Sequence, residues 1–290
     1  MARLLDIAIG GVLFGALYAL IAVGLNLQYG VTRILNLAYG EILLIGSYIT
    51  YIFFKDFRIN PLLTLIFSGL VTSVLGILIH VITFRRLVLS AASAEELEFR
   101  SLFVCFGLIL LIQNLLAHIF GVTPIGTPYL MEGVEIFGER FKMNTVVAAI
   151  LSAVVNAIMY TLLRFTKFGL AMRATAEEPV GAQIIGINIL KIHIASFSVG
   201  CLTAALAGSM ISMIYSNVTP YTGTIYTVIA LIILVLGGRG SFIGSIVGGL
   251  IIGCAYYAMI RVRASLADPV IYILLIIMLL VRPRGLFGRQ

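Results

Sequence analysis

The sequence predicts an all-α protein, a polytopic bundle of transmembrane helices. Hydrophobic residues make up 61% of the 290 positions and charged residues 11%, whereas soluble proteins are about one-quarter charged. The mean hydropathy is +1.14, and the apolar residues form long unbroken runs instead of the alternating strands of an outer-membrane barrel. The net charge of +7 is the excess expected from basic cytoplasmic loops, so it does not indicate a nucleic-acid partner.

About nine apolar segments approach the length of about 20 residues that a membrane-spanning helix needs. They lie near 5–29, 35–54, 61–84, 102–120, 144–163, 192–216, 223–238, 242–260 and 268–281. The seventh is short enough to be re-entrant, so about eight spans and a hairpin are an open alternative. The first segment is too long for a signal-peptide core and is predicted to be a retained helix.

Basic loops predict the orientation of these segments, because such loops stay in the cytoplasm. Three regions are basic: the two arginines at 85–86, the loop 164–191 and the C-terminal tail. The loop 121–143 contains glutamates instead. The basic loops are therefore predicted to be cytoplasmic and 121–143 external, with the N-terminus outside. Arg261 and Arg263 then lie on the external side, against the usual bias.

Small residues predict where helices pack against each other. Gly200, Ala204 and Gly208 recur every four positions, as do Gly244 and Gly248. Such stripes let helix backbones approach closely in lipid. Glycine is also common in membrane helices for other reasons, but the repetition of the pattern favours helix packing.

The most charged long loop, 164–191, contains a predicted helix of its own within RATAEEPVGAQIIGIN. Thr175 and Glu178 have the spacing of a capping box at a helix start. Pro179 then lies in the first turn, where a missing N–H costs little. Gly186 is placed to end the helix.

This predicted helix has one apolar face, because Val180, Ile184 and Ile187 recur at helical spacing. Two interpretations are open. It is either an ordinary amphipathic surface helix or a helix that docks onto a partner. Its position in the most charged long loop of a membrane protein favours docking.

A second polar stretch, 26–41, lies between two apolar runs, with Gly30 and Gly40 as predicted helix breakers. A carboxylate such as Glu41 just inside a membrane segment is costly unless it is paired or faces water. Broken helices with polar side chains recur along transport pathways, although a plain cytoplasmic turn is the alternative.

Two amides, Gln113 and Asn114, lie in the middle of the apolar segment 102–120. An interhelical hydrogen bond is the simpler explanation for them. The candidates for a translocation pathway are Asn26, Asn36, Glu41, Gln113 and Asn114.

Motifs of soluble enzyme chemistry are missing from the sequence. It contains no phosphate-binding G-x-x-x-x-G-K-[ST] loop, no H-E-x-x-H and no G-x-S-x-G. Cys105, Cys201 and Cys254 lie in apolar runs without paired spacing, and the histidines are isolated. We therefore expect no metal site, no cofactor and no enzymatic activity, and any ATPase that drives transport must be another chain.

Several ordered motifs resemble one known family, the membrane permeases of bacterial and archaeal branched-chain amino-acid ABC importers. They are GALYALIAVGLNLQYGVTRILNLAYGE near the start, RATAEEPVGAQIIGIN, FSVGCLTAALAGSM, LGGRGSFIGSIVGG and the terminal RPRGLFG. The resemblance extends over nearly the whole chain. Where this chain has Tyr39, the family usually has histidine.

The resemblance implies a heteromeric importer in the inner, or cytoplasmic, membrane. Its expected partners are a second homologous permease, a pair of cytoplasmic ABC ATPases and an external solute-binding protein. This chain would be the shorter permease, a single integral-membrane domain over 1–290. RATAEEPVGAQIIGIN would be the cytoplasmic loop that docks onto the ATPase. The implied coupling residues are Arg173, Ala176, Glu177, Glu178, Val180, Gly181, Ile184 and Gly186.

Alternatives to this function remain at the level of sequence. The same family includes permeases for urea or short amides, and the shared motifs do not distinguish the substrates. A stand-alone secondary carrier or channel is a different class, which should contain paired charges within the membrane. The segment 192–238 contains no Asp, Glu, Lys or Arg, which disfavours ion coupling.

Overall fold

The computed structural model describes residues 2–282 and 285–287, which form a helical bundle and one short antiparallel hairpin. The helices before the hairpin are α1 Ala2–Thr32, α2 Tyr39–Lys55, α3 Pro61–Ile79, α4 Arg85–Ser90 and α5 Ala94–Phe120, with a π-helix, His80–Phe84, between α3 and α4. The hairpin consists of β1 Gly133–Ile136 and β2 Glu139–Lys142. The later helices are α6 Met143–Phe165, α7 Lys167–Glu177, α8 Pro179–Ile184, α9 Ile189–Ile214, α10 Gly223–Gly237, α11 Phe242–Arg263 and α12 Ala267–Val281, with a 3-10 turn, Ala264–Leu266, before α12.

Each predicted apolar segment corresponds to a helix, so the predicted all-α membrane bundle is confirmed. Within the described residues, six helices are long and apolar enough to cross a membrane. They are Leu4–Thr32, Pro61–Ser90, Glu95–Phe120, Met143–Phe165, Ile189–Ile214 and Phe242–Leu266. Helices α2, α10 and α12 are apolar but shorter, which makes the predicted count of spans approximate.

Helices α1 and α9 form the centre of the bundle and are the most buried of the long helices. The glycine stripes explain how other helices approach them closely. Gly200 of α9 packs against the Gln28 side chain of α1, and Gly208 of α9 packs against the backbone of α2. On α11, Gly244 and Gly248 pack against α10. These stripes therefore face helices of the same chain.

Several contacts bring the C-terminal end of α1 together with the loop 164–191. The Arg33 guanidinium donates to the carbonyl of Ala176 over 3.4 Å. The Tyr29 hydroxyl donates to Glu98 over 3.4 Å and accepts from Arg239 over 3.5 Å. The start of α5 and the link between α10 and α11 therefore lie at this same end, which we call the coupling end.

The opposite end of the bundle holds the hairpin and the link between α9 and α10. Ile125 pairs with Val218 across these two segments. The Arg261 guanidinium lies 2.7 Å from the carboxylate of Asp6 at this end. Loops 121–143 and 164–191 are therefore at opposite ends, as the charge pattern predicts. Arg261 lies at the end where positive residues are not expected, and the carboxylate of Asp6 offsets its charge.

Candidate functional site

The connection between α1 and α2 differs from the prediction that glycines break the helices there. Helix α1 continues through Gly30, and α2 includes Gly40. Both glycines lie where another backbone passes closely: a Cβ at Gly30 would be 3.0 Å from the Cα of Gly240, and one at Gly40 would be 1.9 Å from the carbonyl oxygen of Gly223. Close approach of backbones, not helix breaking, explains glycine at these positions.

The actual break is the non-helical segment 33–38, and Asn36 is its central polar residue. The Asn36 amide donates to Gln28 Oε1 over 3.0 Å, and its carbonyl oxygen accepts the Ala38 N–H over 3.1 Å. The Leu37 carbonyl accepts a hydrogen bond from Thr227, which lies one turn into α10. The last two bonds pair the Ala38 N–H and the Leu37 carbonyl, two backbone groups that the break leaves without helical partners. Helix α2 therefore begins inside the bundle, beside α10.

The N-terminal ends of α2 and α10 meet at this place. The Gly40 N–H donates to the Thr227 hydroxyl over 2.8 Å, and the backbones of Gly40 and Gly223 are in contact. The N-terminus of a helix has a partial positive charge from its aligned peptide dipoles and unpaired N–H groups. Two such ends side by side create a region suited to negative charge.

Glu41 places its carboxylate between these two helix ends. Its side chain is 0% exposed. Oε1 accepts from Gln113 Nε2 over 2.9 Å and from Thr224 Oγ1 over 3.1 Å. Oε2 has no hydrogen-bond partner among the described residues, and a Cβ at Gly223 would lie 2.5 Å from it. The carboxylate is thus buried and only half satisfied.

This cluster lies one layer of side chains below the outer surface of the bundle. Thr224 is exposed and Gln113 is half-buried, and they donate to the same carboxylate oxygen. Gln113 therefore makes the interhelical hydrogen bond that the sequence predicts. Asn114 is exposed and donates to the Leu110 carbonyl of its own helix over 2.7 Å, so its interhelical hydrogen bond stays a prediction.

Asn26 has a packing role within the chain. Its amide nitrogen donates to Ser245 Oγ over 2.6 Å and to the Ser241 carbonyl over 2.9 Å. Its oxygen accepts the Gly240 N–H over 2.6 Å. These bonds hold α1 against the α10–α11 link and occupy the amide fully. Asn26 and Asn36 are thus buried in internal contacts, and their place in a translocation pathway stays a prediction.

The loop 164–191 contains two helices, α7 and α8, where the sequence predicts one. The predicted capping box is wrong, because Thr175 lies inside α7 and donates to the Ala171 carbonyl over 2.9 Å. Glu178 is the extended residue between the helices and makes no side-chain cap. Its conformation follows from Pro179, because a residue before proline is disfavoured in the helical region. Gly186, with φ of +86°, follows the end of α8 as predicted.

Helix α8 presents apolar side chains at the coupling end. Val180 is 64% exposed and Ile184 81% exposed, whereas Ile187 is half-buried. The predicted apolar face is therefore open over α8 and partly covered at Ile187. Ala182 on the other side of the helix is buried.

The remaining predicted coupling residues surround this exposed face. Arg173 is exposed and donates to the Arg164 carbonyl over 3.4 Å, within the loop itself. Ala176 accepts from Arg33, and Gly181 lies against the Glu178 side chain. Glu177 is exposed and lines a cavity of about 310 Å³.

That cavity is bounded by three parts of the chain that no local pattern brings together. They are the end of α1, the start of α5 and the junction of α7 with α8, represented by Tyr29, Val31, Arg33, Glu95, Glu98, Thr175, Ala176, Glu177 and Pro179. Sequence reasoning identified the loop but missed the residues of α1 and α5, because only the tertiary fold places them beside it.

Comparison with known proteins gives one family over almost the whole chain. Residues 7–279 match the model of the family described as branched-chain amino acid transport system / permease component. The chain is 31% identical over 298 residues to the high-affinity branched-chain amino acid transport system permease protein LivH of Salmonella typhimurium, covering 96% of this chain and 94% of that protein. It is 32% identical over 297 residues to the permease protein BraD of a similarly named system in Pseudomonas aeruginosa, covering 97% and 94%.

A more distant similarity is confined to part of the chain. The ribose import permease protein RbsC of Bacillus subtilis is 31% identical over 138 residues, which is 46% of this chain and 42% of that protein. No solved structure matches the chain significantly.

Proposed function

The chain belongs to the family of branched-chain amino acid transport permease components, and we propose that it is the permease through which an ABC importer moves these amino acids. It is a multi-pass inner-membrane protein. The observation that supports this function most strongly is the end-to-end similarity to permeases named for branched-chain amino acids. The partial similarity to a ribose permease is in keeping with a scaffold shared among importers of different substrates.

Coupling to a separate ATPase is the second part of the proposal. An exposed helix with large apolar residues is unfavourable in water unless a partner covers it, and amphipathic helices bind in apolar grooves. Val180 and Ile184 on α8 are the proposed anchors, with Arg173 and Glu177 as the polar residues that orient them. Ala176 lies at the end of α7, directly before α8, and its carbonyl accepts from Arg33, so Arg33 connects the α7–α8 junction to the end of α1. Movement at α8 would therefore reach the break between α1 and α2.

A second permease is the third part. Helix α5 is the least buried of the six long helices, and it exposes the amide of Asn114 within an apolar span. A polar side chain that faces lipid is costly, whereas one that faces another helix or water is not. We therefore place α5 at the contact with a homologous permease, beside the cluster of Glu41 and Gln113. The translocation pathway would pass along this contact.

The other partners follow from the same importer architecture. A pair of cytoplasmic ATPases would bind at the coupling end, and an external solute-binding protein would deliver substrate at the hairpin end. ATP hydrolysis would belong to the partner, and this chain would have no catalytic activity of its own. Residues 1–290 would act as one permease domain.

Uptake by reconstituted proteoliposomes tests this function. The chain, a homologous permease and the ATPase would be reconstituted with ATP inside, and labelled leucine, isoleucine, valine and urea would be supplied with the binding protein. We expect uptake of the branched-chain amino acids that requires ATP and this chain. Uptake of urea alone would support the short-amide alternative. Uptake by this chain alone, driven by an ion gradient, would show a secondary carrier.

A further inference from the structure

We propose that Glu41 and the adjoining N-terminus of α10 form a transient binding site for a zwitterionic amino acid during translocation. The carboxylate of Glu41 would bind the substrate's ammonium group, and the first N–H groups of α10 would bind its carboxylate. This inference rests on the proposed transport of amino acids and specifies which groups of this chain touch them.

The unpartnered oxygen of Glu41 is the main observation. Native proteins pair nearly all buried polar atoms, and an exception calls for an explanation. Oε1 has two donors, Gln113 and Thr224, while Oε2 has none among the described residues. Oε2 points to the backbone of Gly223, the first residue of α10. An ammonium group, with three N–H donors, is a suitable partner for that oxygen.

In the part of the chain that the structure describes, no positive side chain pairs with this carboxylate. The described residues form no ion pair with Glu41, and segment 192–238, which includes most of α9 and all of α10, contains neither Lys nor Arg. The two helix N-termini stabilise its negative charge without neutralising it. A buried carboxylate without a cation carries a desolvation cost, so a cationic group from the substrate would be favoured there.

The neighbouring helix end is suited to the other charge of a zwitterion. The N–H groups at a helix N-terminus bind carboxylates and other anions, and half-helices that begin inside a membrane bind substrate carboxylates in this way. Helix α10 begins beside Glu41, and Gly223, which has no side chain, lets the Glu41 carboxylate lie against the first turn of that helix. An acid and a helix N-terminus in contact thus offer complementary partners to both charged groups of an α-amino acid.

Access to the site requires only side-chain movement. Thr224 is exposed, and Gln113 is half-buried with its amide at the end of a flexible side chain. Rotation of these two side chains uncovers the carboxylate on the face that we assign to the second permease. The site would then open onto the proposed pathway.

Replacement of Glu41 by glutamine tests the role of its charge, because glutamine keeps the oxygen that accepts from Gln113 and Thr224. We expect Glu41→Gln to lower ATP-driven leucine uptake about tenfold or more, the effect of losing one hydrogen bond to a charged group. Co-purification of the partners checks that the variant complex still assembles, and uptake is expressed per assembled complex. Glu41→Asp keeps the charge and should retain more uptake than Glu41→Gln. Asp56→Asn, which neutralises an exposed carboxylate after α2, is the matched control and should behave as the parent.

Binding of analogues to the wild-type complex separates recognition from a purely structural role. We expect millimolar leucine to raise the unfolding temperature of the purified complex, and 4-methylpentanoate, which lacks only the ammonium group, to have no such effect. Equal shifts with both compounds, or equal uptake by the parent and Glu41→Gln, would overturn the proposed site. Either of these results would leave leucine uptake by the wild type, and with it the transport function, intact. Absence of leucine uptake by the wild type would instead contradict the transport function.

Discussion

Gly208 on α9 lies in backbone contact with Leu43 on α2: a Cβ at residue 208 would be 1.9 Å from the Leu43 carbonyl oxygen. The Ser47 hydroxyl donates to the carbonyl of Gly208 over 2.6 Å, one turn further along α2. Backbone contact and an interhelical hydrogen bond therefore occur at the same place. This contact holds α2, and with it Glu41, against the most buried helix of the chain.

Replacing Gly208 by leucine should force α2 and α9 apart, because neither backbone can make room for a side chain at this distance. We expect less folded protein in the membrane and less assembled complex, measured by quantitative blotting and size-exclusion chromatography. Gly133→Leu in the hairpin is the control, since a Cβ there has nothing within 4 Å. Normal expression and uptake by Gly208→Leu would mean that this stripe faces lipid.

Labelling of introduced cysteines tests the orientation. A cysteine at Glu178 should react with an impermeant reagent only after the membrane is permeabilised, because the basic loop 164–191 is expected in the cytoplasm. A cysteine at Phe137, which is 83% exposed in the hairpin, should react in intact cells. The unmodified chain gives the background, since Cys105 and Cys201 are buried and Cys254 is half-buried. Reaction at residue 178 in intact cells would overturn this topology.

The pair of Asp6 and Arg261 should stabilise the contact between α1 and α11. Tyr257 and Arg261 both donate to Asp6 Oδ1, over 3.0 and 2.7 Å. Asp6→Asn should lower the free energy of unfolding by roughly 1–2 kcal/mol. This is less than the loss expected for a fully buried charged pair, because Arg261 is partly exposed and solvent screens its charge. A lower melting temperature of the purified protein would be the readout. Asp56→Asn, at an exposed position after α2, is the control, and equal melting temperatures for both variants would contradict the prediction.

The helices of this protein follow from the sequence because hydropathy is a local property. Every predicted apolar segment is a helix, and the stripe of Gly200, Ala204 and Gly208 predicts a real packing face. The opposite ends of loops 121–143 and 164–191 follow from charge in the same way. In each case the signal lies within the segment itself.

The site depends on contacts between distant segments, which a single sequence does not display. Glu41 and Thr224 are 183 positions apart and bond through Oε1. Without that pairing, the sequence identifies a costly carboxylate but not the second helix N-terminus beside it. His80 and His193 similarly appear isolated in sequence, although their ring centroids lie 6.4 Å apart.

Local patterns also failed where two of them competed. Thr175 and Glu178 have capping-box spacing, but Thr175 continues α7 and Pro179 sets the conformation of Glu178. The restriction that proline places on its predecessor is stronger than a side-chain cap. The loop therefore holds two short helices, and the exposed apolar residues are concentrated on the second.

The most direct test of the permease assignment is co-purification of the ATPase with the chain in which Ile184 is replaced by aspartate, together with leucine uptake. An unpaired charge in a desolvated contact costs several kcal/mol, about 2–5. We expect Ile184→Asp to insert normally and to lose ATPase association and uptake together. Phe137→Asp, at an equally exposed apolar position on the opposite end, is the control and should keep ATPase association. Full uptake by Ile184→Asp would contradict the account, because α8 would then be an ordinary surface helix.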